Sequence, residues 1–189
     1  MLSCCVVSFS LRVAGFAPRH LSRWADEMLI LSGPTAAGKN TVGTLLARQR
    51  ERCAVIDFDL VRAMFVQPHQ PPWAGEEGKT QQLLGVQQVC KLAEGFAEAG
   101  WEVVILDVLS EETVKLYRQL LQPYELKIVQ LLPEFSELNR RFCERGVCLT
   151  DEELAMVYKE QYRYTDYDLR IDNTDVAPEK VAEMLSPLL

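Results

Sequence analysis

Short apolar runs alternate along this chain with segments whose apolar residues recur at helical spacing. The runs predict five buried strands, at 28–32, 54–57, 101–107, 124–132 and 167–172. Because helical patterns separate these runs, we expect a parallel sheet with helices on both faces, which is a three-layer α/β/α fold. In such sheets ligands bind beyond the carboxyl ends of the strands, so the candidate chemistry should lie there.

The helical segments are bounded by recognisable end signals. Helices are predicted at 40–52, 79–100, 111–122, 133–146 and 178–185, with one more opening at Thr150 and a helical turn at 59–65. Gly100 should close the long helix, Thr150 and Glu153 form a capping-box pattern, and Pro178 suits a first helical turn. Residues 67–78 hold three prolines and two glycines, which predicts a loop.

The amino-terminal segment differs in composition from the rest. Residues 1–25 carry three arginines and no acid, which resembles a transit peptide, although a strand that opens at Met28 needs nothing before it. We therefore expect 1–27 to be a disordered extension, a leader or a misassigned start, and 28–189 to form a single domain. Six scattered cysteines fit a reducing compartment. The cytoplasm is the expected location, with organellar targeting as the alternative.

Composition and charge narrow the class of protein. The 189 residues are 48% hydrophobic and 25% charged, which excludes a disordered chain and a coiled coil. No run approaches the roughly 20 apolar residues that a membrane helix needs. The net charge of −7 argues against a surface that coats nucleic acid. The expected partner is a small molecule, with neither nucleic acid nor membrane, for a monomer or homodimer.

The turn after the first predicted strand carries the main candidate site. Its sequence is GPTAAGKNT and matches the GxxxxGK phosphate cradle. In that cradle main-chain N–H groups turn inward, and the lysine reaches the β- and γ-phosphates of a nucleotide. The alternative is an ordinary strand-to-helix turn with a surface lysine. The candidate nucleotide-binding residues are Gly33, Pro34, Thr35, Ala36, Ala37, Gly38, Lys39, Asn40 and Thr41.

One position in this turn departs from the usual pattern. Asn40 follows the lysine where serine or threonine normally helps to hold Mg²⁺, and Thr41 comes next. The Asn40 amide oxygen, Thr41 after a one-residue shift, or only water and substrate oxygens could complete a magnesium shell. Thr41 and Asp107, at the end of the third predicted strand, are the candidate metal ligands.

The remaining motifs favour phosphoryl transfer over nucleotide hydrolysis. The chain has no NKxD sequence, and Asp107 is followed by Val108, without the glycine of a GTPase or the acid that polarises water in hydrolytic ATPases. A kinase must keep water away from the γ-phosphate, so it has no use for such an acid.

Polar residues past the second strand suit the acceptor of a phosphoryl group. A carboxylate at this edge can take the proton of an acceptor hydroxyl. We expect one of Asp57 and Asp59 to do so, Asp59 being preferred, and the other to cap the next helix. Arg62 could hold an anionic group, and Trp73 could stack on the acceptor. The alternatives are an Arg62–aspartate surface pair and a tryptophan that pins the proline-rich loop.

A later helix carries three arginines. Arg141 and Arg145 are four residues apart and share one face, so arginines there could close over a triphosphate with Arg140. Pairing with Glu137 and Glu144 on a solvated face would explain part of the set.

These segments together resemble the small P-loop kinases and phosphotransferases. Those at 31–41, 55–62, 103–107, 131–146 and 171–185 recur in this order in adenylate-kinase-like, gluconate- and shikimate-kinase-like, chloramphenicol-phosphotransferase-like and zeta-toxin-like enzymes. The resemblance implies a nucleoside-monophosphate-kinase-like fold with a helical lid over about 136–165, and ATP and Mg²⁺ as cofactors.

The resemblance also implies roles for particular residues. It assigns catalysis to Lys39, Asp59, Arg141 and Arg145, and it places Arg140 and Thr174, with the rest of 173–175, at the nucleotide. The alternative for 173–175 is a plain strand-to-helix turn. The expected reaction moves the γ-phosphate of ATP to a hydroxyl or phosphate of a small molecule. The alternatives are a non-catalytic ATP sensor and a toxin-type phosphotransferase.

Overall fold

A computed structural model describes residues 27–146 and 149–189. Five parallel strands form one sheet in the order β2-β3-β1-β4-β5. The strands are β1 (Glu27–Ser32), β2 (Cys53–Asp57), β3 (Glu102–Asp107), β4 (Glu125–Leu131) and β5 (Leu169–Ile171). The predicted strands and their parallel arrangement are thereby confirmed, and β1 lies at the centre with the predicted phosphate cradle at its carboxyl end.

Helices connect the strands and cover both faces of the sheet. They are α1 (Lys39–Arg48), α2 (Phe58–Arg62), α3 (Gly75–Glu98), α4 (Glu111–Leu120), α5 (Phe135–Arg145), α6 (Asp151–Arg163) and α7 (Pro178–Leu185), with a 3₁₀ turn at Ser186–Leu188. Met28 and Ile30 of β1 pack in one core with α3 and α4. Leu29 and Leu31 pack in the other core with α1 and α7. The three-layer fold follows from this alternation within a fully buried central strand.

The start of α3 corrects the sequence prediction. Residues 75–78 were predicted as loop, but they form the first turn of the helix. Gly78 is there because of a close approach, since a Cβ at this position would lie 2.0 Å from the Pro71 carbonyl oxygen. The proline-rich loop thus packs directly on the backbone of α3. Gly100, with a φ of 76°, closes the helix as predicted.

The predicted end signals of the later helices are confirmed. Thr150 and Glu153 exchange side-chain and backbone hydrogen bonds at the start of α6, and Pro178 occupies the first turn of α7. The two helices of the predicted lid, α5 and α6, pack into the core that also holds α1 and α7, through Leu138, Phe142 and Leu154. Within the two described ranges, no helix is long and apolar enough to cross a membrane.

Candidate active site

The turn between β1 and α1 has the backbone of a phosphate cradle. Gly33, Ala36 and Gly38 have φ angles of 145°, 68° and 99°, all in the region that favours glycine. Such conformations point successive N–H groups to one concave side, where they attract an anion. The amino terminus of α1, which begins at Lys39, adds positive potential at the same point.

Gly33 fits this turn tightly enough to predict the effect of adding one methyl group. A Cβ at Gly33 would lie 2.3 Å from the carbonyl oxygen of Leu131, a backbone atom of β4 that cannot swing away. Gly33→Ala is therefore expected to lower the free energy of unfolding by about 1–3 kcal/mol, measured by urea denaturation. Gly95→Ala is the matched control, because a Cβ there meets nothing within 4 Å. Equal stability of the two variants would contradict this close packing.

Lys39 is held at the centre of the cradle. Its side chain is only 8% exposed, and Nζ donates to the carbonyl oxygens of Gly33 at 2.7 Å and Pro34 at 3.1 Å. Burial lowers the pKa of Lys39, while the carboxylates of Asp59, Asp107 and Asp57 oppose that shift. The ammonium group is thus desolvated and surrounded by acids at the point where a phosphate tail would enter.

A cavity of about 220 Å³ adjoins the cradle. It lies between the cradle, α5 and the segment that follows β5, and its lining includes Thr41, Arg145 and Pro178. Asn173 supports its floor, because its Nδ2 donates to the Ala37 carbonyl oxygen at 2.9 Å. These surroundings place the cavity where a nucleotide attached to the cradle would continue.

Two of the three arginines on α5 already have partners. Arg140 is exposed and pairs with both Glu137 and Glu144. Arg141 pairs with Glu137 and also donates to the carbonyl oxygens of Asn173 and Thr174, at 2.9 and 3.2 Å. Arg141 therefore ties α5 to the segment after β5, which shapes the wall of the cavity. The Thr174 hydroxyl is likewise engaged, with Glu134 and Asp172.

Arg145 differs from its two neighbours in its partners, although all three arginines line the cavity. It lines the same cavity, and it lies near enough to Lys39 for its charge to contribute to the lowered pKa of that lysine. Within residues 27–146 and 149–189 it forms no ion pair. Of the three arginines, Arg145 has the placement and the freedom to contact a phosphate group.

The two aspartates past β2 take different positions. Asp57 caps α2, since its Oδ1 accepts from the Asp59 amide at 3.0 Å, and its Oδ2 accepts from Asn40 Nδ2 at 2.5 Å. Asn40, the residue that departs from the usual cradle sequence, therefore links α1 to the end of β2. The exposed Asp59 carboxylate lies in the first turn of α2, near Lys39. The capping role expected of one aspartate belongs to Asp57.

Arg62 and Trp73 border the acceptor side. The Arg62 side chain is only 8% exposed and donates to the carbonyl oxygen of Gln70 in the proline-rich loop. Burial lowers the pKa of Arg62, and Asp59 and Asp107 oppose that shift. This arrangement favours a role in holding the loop rather than in binding an anion. Trp73 lies in the same loop, 46% exposed, with its ring accessible.

Asp107 ends β3 beside the end of β1. It is 3% exposed, and its two carboxylate oxygens accept from the Val108 amide at 2.6 Å and from the Tyr117 hydroxyl at 2.9 Å. Burial raises the pKa of Asp107 to about 7, against the opposing effect of these two hydrogen bonds. In the register of the sheet Asp107 pairs with Ser32, the residue directly before the cradle.

The side chains around the cradle could hold Mg²⁺ only together with the phosphates of a bound nucleotide. In the described part of the chain no cluster of three His, Cys, Asp or Glu residues could hold a metal ion. Mg²⁺ in nucleotide sites keeps several waters and is bound through one or two carboxylates and the phosphates. Asp107 supplies one buried carboxylate near Lys39, and Thr41 lines the cavity. These residues are compatible with a metal that arrives with the nucleotide.

Sequence reasoning missed Tyr117 and the contact that Asn173 makes with the cradle. Tyr117 lies on the buried face of α4, and its role depends on a contact across the core. The available signal was a tyrosine on an apolar helix face, whose hydroxyl needs a partner when buried. Asn173 bonds to the cradle 136 residues away in sequence, and no local pattern indicates that contact.

Comparison with known proteins agrees with this architecture. The sequence profile of the chloramphenicol phosphotransferase-like protein family matches residues 26–189. No curated protein matches the sequence.

Solved structures of kinases share the fold at low sequence identity. A sugar kinase from Janibacter sp. HTCC2649 is 16% identical, with a TM-score of 0.64 over 86% of this chain and 93% of that chain. The APS kinase of Mycobacterium tuberculosis, in complex with AMPPNP and APS, is 16% identical, with a TM-score of 0.61 over 86% and 97%. Shikimate kinase from Acinetobacter baumannii, in complex with shikimate, is 19% identical, with a TM-score of 0.57 over 84% and 90%. The chain therefore has a kinase-like P-loop fold.

Proposed function

The chain belongs to the chloramphenicol phosphotransferase-like family, and we propose that it transfers the γ-phosphate of ATP to a hydroxyl group of a small molecule. One observation carries this proposal. The buried ammonium of Lys39 lies at the centre of the cradle, close to the exposed Asp59 carboxylate at the acceptor edge. A site with a phosphate-binding lysine and a facing acceptor-side carboxylate suits transfer more than mere nucleotide binding.

The nucleotide would be held from two sides. The main-chain N–H groups of Gly33–Thr41 and the Lys39 ammonium would bind the phosphate tail. The cavity beside α5 would take the rest of the nucleotide, with Arg145 close enough to reach a phosphate oxygen. A cation placed there, where negative charge spreads over the transferred group, lowers the barrier to transfer.

Magnesium fits the same arrangement. Asp107 and Thr41 would hold it together with phosphate oxygens and water, and the ion would neutralise phosphate charge during transfer. The Asn40 amide nitrogen donates to Asp57, which fixes this side chain in the frame of the site, and its amide oxygen is the atom that could add to the magnesium shell.

Asp59 would act as the base. As the acceptor oxygen forms its bond to the γ-phosphorus, the acceptor proton passes to the Asp59 carboxylate, and the bond between that phosphorus and the β–γ bridging oxygen breaks to release ADP. Asp57 is less suited to this step, because both of its oxygens already accept hydrogen bonds within the protein.

The residues on the acceptor side favour an acceptor molecule that carries no negatively charged group. Arg62, the cation on α2, is buried and donates to the Gln70 carbonyl oxygen, and Asp59 adds negative charge at the entrance. The exposed ring of Trp73 offers an apolar face for an aromatic or sugar ring. An uncharged hydroxyl compound fits these surroundings better than a carboxylate or a phosphate.

A screen for acceptor-stimulated ADP release tests the proposed function. The panel should contain chloramphenicol, sugars, shikimate and APS, which span uncharged and anionic acceptors. We expect ADP release only with an acceptor, and with an uncharged one. Tight ATP binding without turnover on any acceptor would instead indicate a nucleotide sensor.

Asp59→Asn separates the chemical step from nucleotide binding. Removal of a general base typically costs 10²–10⁴-fold in rate, so we expect kcat with the identified acceptor to fall by at least about 100-fold. The Kd for ATP should not rise by more than about threefold, because the substitution removes only a negative charge near Lys39, which does not oppose the binding of phosphate. Glu51→Gln is the control, since it neutralises an exposed carboxylate between α1 and β2, at the opposite edge of the sheet. Full turnover in Asp59→Asn would exclude it as the base.

A further inference from the structure

We propose that Tyr117 is a positioning residue, whose hydroxyl fixes the orientation of the Asp107 carboxylate toward a metal–nucleotide complex in the cradle. The inference rests on the proposed function. It concerns a residue on α4 that contributes to the site through Asp107 alone.

The contact between these side chains is direct and buried. The Tyr117 hydroxyl donates to Asp107 Oδ2 at 2.9 Å, and the Tyr117 side chain is 0% exposed. The other carboxylate oxygen, Oδ1, accepts from the Val108 amide at 2.6 Å. One donor on each oxygen prevents rotation of the carboxylate plane. Each oxygen keeps a further acceptor site, so a water molecule of a metal shell can still bind to it.

The backbone around the pair gives Tyr117 a defined position. Ser110 and Thr113 form a capping box that sets the start of α4, and Thr113 and Tyr117 are four residues apart on its buried face. The Leu109 amide donates to the Ser32 hydroxyl at 3.3 Å, which ties the connection between β3 and α4 to the end of β1. The phenol ring is thereby aligned with the edge of the sheet from which the cradle begins.

Packing alone does not account for the hydroxyl. A phenylalanine would fill nearly the same volume. If the pair served only the core, apolar residues in its place would raise the free energy of unfolding, because a buried carboxylate and its hydroxyl partner must both be desolvated. Burial at this level is instead typical of groups whose charge serves a site.

The surroundings of Asp107 agree with such a use. Its charge acts on Lys39 and on Arg62, and that of Asp59 acts on it in turn. The carboxylate thus lies between the phosphate-binding lysine and the acceptor side. The orientation of the carboxylate would decide whether its oxygens can accept hydrogen bonds from the water molecules of a metal bound to the phosphates.

Calorimetric titration of Tyr117→Phe with ATP, in excess Mg²⁺ and in EDTA, tests this proposal. The wild-type protein should bind ATP more tightly with Mg²⁺ than without it. Loss of a group that orients a metal-binding residue typically costs 10–100-fold in metal affinity. The factor by which Mg²⁺ increases the affinity for ATP should therefore be at least about tenfold smaller in Tyr117→Phe than in the wild-type protein. Its affinity for ATP in EDTA should equal that of the wild-type protein.

Tyr164→Phe is the matched control, because this buried tyrosine donates its hydroxyl hydrogen bond to the Asp166 carbonyl oxygen rather than to Asp107. It should leave both affinities unchanged. A second comparison uses Asp107→Asn, in whose background Tyr117→Phe should cause no further loss.

The outcomes separate this inference from the proposed function. If Tyr117→Phe keeps the full Mg²⁺ gain, or weakens ATP binding equally in EDTA, the positioning role is wrong while the proposed function stands. A wild-type protein that binds ATP equally with and without Mg²⁺ would also overturn the inference. A wild-type protein that binds no ATP would overturn the proposed function itself, and this inference with it.

Discussion

Lys39→Met is expected to lower the rate of phosphoryl transfer by about a thousandfold or more, with little change in stability. Loss of one preorganised electrostatic contact costs 10²–10³-fold in other enzymes, and Lys39 would serve both in binding and in the transition state. The free energy of unfolding should stay within about 1 kcal/mol, because relief of the desolvated charge offsets two lost hydrogen bonds. Acceptor-dependent ADP release and urea denaturation measure the two effects.

The control for this variant is Lys180→Met on α7, which removes an exposed lysine paired with Glu183. It should change neither activity nor nucleotide affinity. If Lys39→Met retained substantial turnover, the cradle would not be the site of transfer. If it unfolded the protein, Lys39 would be a structural residue of the turn.

Asp107→Asn is expected to stabilise the protein at alkaline pH while abolishing its preference for metal-bound nucleotide. Burial raises the pKa of Asp107 from 3.8 to about 7, so between these values the folded state binds a proton that the unfolded state has released. The stability that this group contributes is fully present below its unfolded pKa and is lost as the pH rises through the folded pKa. At about pH 8 the variant should therefore be more stable, by an amount on the order of 4 kcal/mol.

Urea denaturation at a series of pH values measures this effect. The difference between Asp107→Asn and the wild-type protein should be small near about pH 4 and should grow up to about pH 7. Asp175→Asn is the control, since Asp175 is an exposed carboxylate. A difference that is the same at all pH values would mean that the Asp107 carboxylate is ionised as readily in the folded protein as in water.

The sheet could be predicted from the sequence because its strands are fully buried. An uninterrupted apolar run followed by a helical pattern has few other readings, and β1 and β3 begin and end within one residue of their predicted positions. The start of α3 could not be predicted in the same way. Gly78 looks like a loop residue in the sequence, and only its contact with the Pro71 carbonyl explains why a glycine stands inside a helix.

The candidate site was predictable where the residues are close in sequence. The cradle is one continuous segment. Local helix geometry likewise explains why one aspartate, Asp57, caps α2 while the other, Asp59, lies exposed in its first turn. Arg141 pairs with Glu137 within α5, as the spacing allows. Its bonds to the segment after β5, like the bond of Tyr117 to the end of β3, depend on packing across the chain. A sequence pattern identifies arginines on one helix face, but it does not tell which of them is already bound.

We expect the turn from Gly33 to Thr41 to bind the phosphate tail of a nucleotide through its main-chain amides. Titration of the ¹⁵N-labelled protein with a non-hydrolysable ATP analogue and Mg²⁺, followed by NMR of the backbone amides, tests it most directly. The largest shifts should fall on Gly33–Thr41, with smaller ones at Arg145 and Asn173, and Lys39→Met should remove or strongly weaken them. Shifts confined to another surface, or none at saturating nucleotide, would contradict the account.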